Sequence, residues 1–124
     1  MKVCISTTGK DLNAPVDPRF GRSQLFLFVD TETMKYECIE NPAITAGGGA
    51  GTKAAQLVAD KGAQAVLTGN VGPNAFSALS AAGVSIYAGM TGTAQQAIEQ
   101  LKTGKVLPVS GPSVGAHAGM GGKS

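Results

Sequence analysis

Residues 68–76 read Thr-Gly-Asn-Val-Gly-Pro-Asn-Ala-Phe, a glycine-rich turn that follows the apolar run Ala65, Val66, Leu67 and leads into a helical pattern. The proline suits a first helical turn, where its missing N–H is no loss. Strand, tight turn and helix in that order form half of a βαβ unit, and such units commit a chain to parallel strands. The arrangement repeats: residues 62–69 (Gly-Ala-Gln-Ala-Val-Leu-Thr-Gly) are echoed by 83–89 (Gly-Val-Ser-Ile-Tyr-Ala-Gly), each followed by another glycine and a helix. A third glycine turn, 47–53 (Gly-Gly-Gly-Ala-Gly-Thr-Lys), opens a helix as well. Turns of this kind present backbone N–H groups at a helix N-terminus, where the helix dipole favours negative charge. Three of them feeding three helices predict one anion site.

Along the chain, residues 2–6 predict a short buried strand and 7–22 a long polar connection ending in Asp17, Pro18, Arg19, Phe20, Gly21 and Arg22. The unbroken apolar run 25–29 predicts a strand covered on both faces. Residues 30–33 form a turn, and 34–40 alternate as the returning antiparallel strand, closed by Asn41 and Pro42. Helices are expected over 52–61, 73–82 and 93–103. Gly62, Gly83 and Gly104 stand just past their ends as left-handed caps. Thr93 and Gln96 have capping-box spacing. The crossovers make strands 65–68 and 84–87 parallel, so the sheet is mixed. The domain is assigned to 1–105 and a flexible glycine-rich tail to 106–124, of which 111–124 holds five glycines and little to bury.

A formal net charge of +2 without a lysine/arginine run argues against nucleic acid as partner. The chain turns polar directly after Ile5, too soon for a signal peptide, and no apolar run reaches membrane-spanning length. Cys4 and Cys38 lie in separate strands without CxxC spacing, and read as small buried hydrophobes of a cytoplasmic protein with reduced thiols. The single histidine, His117, falls in the tail near Met120.

Ligands of an open α/β sheet bind outside the carboxyl ends of its parallel strands, where the turns holding Gly69, Asn70, Gly72 and Asn74 and holding Thr91 and Thr93 both sit. The alternative is that these glycines only permit tight connections and close packing. Residues 47–53, with Gly48, Gly49 and Lys53, are not a P-loop, because Thr52 precedes the lysine and Ala54 follows it. Lys53 either lends charge to an anion or is a solvated helix lysine. Arg19 and Arg22 either fork around a multivalent anion or pair in part with Asp17 as a loop staple. There is no base histidine within 1–105, no paired carboxylate beside the turns and no nucleophile elbow, which argues against an enzyme.

The stretches at 17–22 (Asp-Pro-Arg-Phe-Gly-Arg), 47–56, 69–76 (Gly-Asn-Val-Gly-Pro-Asn-Ala-Phe) and 92–97 resemble, in the same order, the dinitrogenase iron–molybdenum cofactor biosynthesis family over roughly 2–104. The first and third are the specific ones. The resemblance implies a ribonuclease-H-like three-layer α/β fold with a mixed five-stranded sheet. It also implies non-covalent carriage of an anionic metal–sulfur cluster containing molybdenum, iron, or molybdenum with copper, exchanged with donor and acceptor proteins. Many members carry a histidine where this chain has Gly48, so binding here falls to backbone amides, Arg19, Arg22 and a cysteine. Two other functions stay open: an interaction or regulatory module without its own cluster, and an enzyme acting on a phosphorylated metabolite.

Overall fold

The computed structural model describes residues 1–43 and 49–112. The strands are β1 (Lys2–Thr7), β2 (Leu25–Asp30), β3 (Tyr36–Glu40), β4 (Ala65–Leu67) and β5 (Ser85–Tyr87); the helices are α1 (Ala50–Asp60), α2 (Pro73–Ala81) and α3 (Ala94–Lys102). The sheet runs β3-β2-β1-β4-β5. β1 pairs antiparallel with β2 and parallel with β4, and β4 pairs parallel with β5. This is the mixed five-stranded α/β sheet expected from the sequence. Gly62, Gly83 and Gly104 have φ of 75°, 77° and 72°, the left-handed positions anticipated after each helix.

Side-chain alternation along β1 and β2 divides the core. Cys4, Phe26 and Phe28 face α1 and α2, together with Val66, Ala54, Val58, Ala75 and Leu79. Val3, Ile5, Leu27 and Val29 face α3, whose Ala94, Ala97 and Ile98 close the second layer. Burial on both faces explains the continuous apolar run of β2.

The returning strand begins at Tyr36 rather than residue 34. Met34 takes φ 61° in the hairpin turn, where its N–H donates to Asp30 O at 2.7 Å. A left-handed residue cannot continue a pleated strand, so the ladder resumes only after it. Helix α1 starts two residues earlier than expected, with Gly49 as N-cap at φ 71°.

Residues 106–109, assigned to the tail from sequence, lie against the domain. Val106 packs on the α3 side, Val109 packs on the other, and the Val109 N–H donates to Ile86 O at 2.7 Å. His117 and Met120 fall outside the described residues.

Candidate functional site

Because β1 and β4 run parallel as neighbours, their carboxyl ends open on the same edge of the sheet. The long connection after β1 lies across that edge. Its Val16 N–H donates to Gly92 O and its Phe20 N–H to Asn70 O, while Pro15 pairs with Thr93 and Arg19 with Asn70 as isolated bridges. Buried polar groups hold it down. The Asp17 N–H donates to Ser6 O, and Ser6 Oγ donates to Asp17 O at 2.8 Å. Ser6 has one hydroxyl hydrogen, so in its 2.7 Å contact with Thr68 the donor is Thr68 Oγ1. Phe20 anchors the connection from below, 2% exposed, with its ring centroid 5.3 Å from that of Phe26.

Small residues then let three backbones meet. A Cβ on Gly21 would lie 3.2 Å from Gly51 Cα, and one on Gly51 3.1 Å from Ala75 Cβ. The result is a cleft of about 450 Å³ with three walls: Arg19 to Arg22, Gly49 to Gly51 at the start of α1, and Asn70 with Gly72 to Ala75 at the start of α2. Neither helix has a side-chain cap hydrogen bond or an acidic residue in its first turn. Among the described residues no side chain caps their leading N–H groups, and the dipoles place partial positive charge at the cleft. Two guanidiniums add to it, and among the described residues no carboxylate lines the walls.

Arg19 pairs with Asp17, as the loop-staple alternative expects, and also lines the cleft. Its N–H donates to Asp17 Oδ1 at 2.9 Å and its Nε lies 3.6 Å from the same oxygen, yet 66% of its side chain stays exposed at the cleft. The Arg22 side chain forms no ion pair or hydrogen bond among the described residues.

Six of the residues anticipated for the site line this cleft: Arg19, Arg22, Gly49, Asn70, Gly72 and Asn74. Gly69 lies under Pro18, whose Cα would sit 2.6 Å from a Cβ there; glycine is required at this position by close approach of the connection. Lys53 is exposed and does not line the cleft. Gly48 lies outside the described residues.

Thr91 borders a separate groove of about 390 Å³ with Gly92, Gln96 and Glu99. Thr93 lines neither cavity. Two of the three turns expected to share one site thus line this cleft, and the third does not. Helix α3 packs on the opposite face of the sheet, and the connection between β1 and β2 intervenes. Its N-terminus is also closed by its own side chains. The Thr93 N–H donates to Gln96 Oε1 at 2.9 Å and the Gln96 N–H to Thr93 Oγ1 at 3.1 Å.

Neither cysteine lines the cleft. Cys4 is wholly buried in the sheet, and burial pushes its thiol well above the usual range, keeping it protonated. Cys38 is partly buried on the edge strand; desolvation raises its pKa, with Lys10 opposing and Glu40 adding. Among the described residues no group of three or more His, Cys, Asp or Glu side chains could hold a metal ion. The cleft's described lining holds no His, Cys, Asp or Glu side chain. Sequence reasoning passed over Gly21, Gly51 and Ala75, whose signal is only their small size, and Asn41, whose partners are remote in the chain.

Residues 1–104 match the family model described as dinitrogenase iron-molybdenum cofactor. The apo form of the orange protein from Desulfovibrio gigas superposes with a TM-score of 0.87 at 41% identity, covering 90% of this chain and 94% of that one. A putative NifB protein from Thermotoga gives 0.75 at 39% identity, covering 86% and 91%. An uncharacterized protein of Methanocaldococcus jannaschii is 33% identical over 97 residues, 76% of this chain and 82% of that one. Matched over residues 1–104 and sharing its fold with the two solved structures, the chain belongs to the dinitrogenase iron-molybdenum cofactor family.

Proposed function

We propose that this protein is a non-enzymatic carrier or scaffold for an anionic metal–sulfide cluster, held without covalent ligation in the cleft between α1 and α2. One observation carries the reading: two uncapped helix N-termini and two arginines converge on a cleft whose walls, among the described residues, hold no carboxylate. A sulfide cluster containing molybdenum, iron, or molybdenum with copper presents negative charge and sulfur acceptors to those donors. The apolar walls formed by Phe20, Ala50, Pro73 and Ala75 suit a large, weakly hydrated anion. A volume of about 450 Å³ lies within the roughly 300–1,000 Å³ typical of small-ligand sites. Relatedness to the orange protein and to a putative NifB protein agrees with cofactor-biosynthesis work. The partners are then the proteins that load and unload the cluster, with no part for nucleic acid or membrane. Two free cysteines fit a reducing cytoplasm. No helix among the described residues is long and apolar enough to cross a membrane.

The test is an anaerobic titration of the apo protein with tetrathiomolybdate, with and without copper, read by visible absorption and by metal analysis after desalting. A defined stoichiometry retained by the protein, and lost in an Arg19→Ala/Arg22→Ala variant of unchanged fold, is the expected result. Equal retention by the variant contradicts the assignment. Absence of any retention favours a partner-binding module, to be sought as co-purifying proteins from the native host.

A further inference from the structure

Arg19 and Arg22 reach the cleft by different means. Arg19 is tethered to the buried Asp17 carboxylate. With no side-chain partner among the described residues, the Arg22 side chain is aimed only by its backbone. That backbone has an unusual clamp. Asn41, 2% exposed at the end of β3, donates from Nδ2 to Gly21 O at 3.1 Å and to Ser23 O at 2.7 Å, the carbonyls of the two neighbours of Arg22. Its Oδ1 accepts the Ala43 N–H at 2.9 Å, and its own N–H donates to Gln24 O at 2.9 Å. This partner set also fixes the amide orientation, since both nitrogen contacts are carbonyls and the oxygen contact is an N–H.

We propose that Asn41 is the positioning residue for Arg22, gripping the chain on both sides of it and fixing its distance from the start of α1. The grip is short-range. Both hydrogens of the Asn41 amide are spent on the segment 21–23, and Gly21 in turn sits on Gly51 in the first turn of α1. The backbone of Arg22 is thereby registered against the N–H groups it is to share a ligand with. No other amino acid of this size supplies two donors and an acceptor in one plane: aspartate keeps the acceptor and loses both donors. The inference deepens the cluster-carrier reading and rests on it for its functional consequence.

The experiment is a set of tetrathiomolybdate titrations on wild type, Asn41→Asp, Arg22→Ala, Arg19→Ala and the two double variants that combine Asn41→Asp with each arginine change, with circular dichroism confirming the fold. Asn41→Asp is expected to weaken binding at least about tenfold. Arg22→Ala should then add less than about threefold in the Asn41→Asp background, while Arg19→Ala keeps its full effect there. A purely structural defect would leave the Arg22 effect at full size, and that result overturns the proposal. Backbone 15N relaxation without ligand separates the two readings. The Arg22 amide should be as rigid as a strand in wild type, with an order parameter near about 0.85, and fall below about 0.6 in Asn41→Asp. If wild type retains no thiomolybdate, the carrier reading fails while relaxation still decides Asn41; unchanged order at Arg22 overturns the positioning role. Should the Asp variant fail to fold, Asn41→Ser takes its place. In wild type itself the Asn41 side-chain amide must exchange slowly with solvent, and exchange at the free-amide rate also overturns the proposal.

Discussion

The N-termini of α2 and α3 follow similar strand–glycine–helix sequences, and the molecule treats them in opposite ways. At α3, Thr93 and Gln96 close a capping box, while the Ala94 and Gln95 N–H groups donate to Ala14 O and Leu12 O of the connection, so the leading N–H groups are already satisfied. At α2 the N-cap is Gly72, without a side chain to compete, followed by Pro73. Helix α1 shares that condition through Gly49. A capped terminus contributes stability to the fold; an uncapped one leaves donors for something else. Position reinforces the contrast, because the two open termini share a face of the sheet and the closed one lies on the other.

Breaking this contrast should produce graded effects. Removing both guanidiniums (Arg19→Ala/Arg22→Ala) is expected to weaken thiomolybdate binding at least about 100-fold, equivalent to about 2.7 kcal/mol. Urea denaturation should show stability lowered by no more than about 1 kcal/mol, the loss of the partly exposed Arg19–Asp17 pair. Closing the open terminus comes next. Gly72 has φ −81° and ψ 174°, the extended geometry of an ordinary N-cap, so Gly72→Asp can place a carboxylate on the N–H groups of α2. Binding should fall about tenfold, while thermal unfolding shows stability up by a few tenths of a kcal/mol.

Opening the closed terminus should cost stability alone. Thr93→Ala is expected to lower stability by about 1 kcal/mol in denaturant unfolding and leave binding unchanged. The smallest effect lies at the far end of α1, where Lys61 Nζ meets Glu37 Oε1 at 2.7 Å. That hydrogen bond is the leading cause holding the Glu37 carboxyl below its usual pKa. A lowered folded pKa means that the unfolded chain binds the proton more readily, so the stabilisation is complete above the normal glutamate range and is lost as pH falls through the folded value. Melting curves of wild type and Glu37→Gln should therefore differ slightly at neutral pH, converge in acid, and accompany equal binding of the thiometalate.

Much of this fold was legible in the chain. Gly62, Gly83 and Gly104 mark three helix ends because a left-handed residue is needed there, and the unbroken run Phe26, Leu27, Phe28, Val29 signals a strand buried on both faces. The capping box was visible from the Thr93–Gln96 spacing, yet its meaning for function was not drawn: a satisfied terminus is a poor anion site. The separation of the third turn from the other two was not legible for a related reason. Periodicity shows that Ala97 and Ile98 face a sheet, but not which side of it, and that choice separated Thr91 and Thr93 from the cleft. Gly69 read as a donor to a ligand, whereas Pro18, remote in sequence, determines it. Asn41 read only as the close of the returning strand, because its hydrogen bonds reach 18 and 20 residues back along the chain.

The most direct test of the central claim is the change in backbone 15N–1H resonances during an anaerobic thiomolybdate titration. The account predicts shifts at Arg19 to Arg22, at Ala50 to Thr52 and at Asn74 and Ala75, with Thr93 to Gln96 unmoved. Shifts centred on Thr93 to Gln96, or spread evenly over both faces of the sheet, would contradict it.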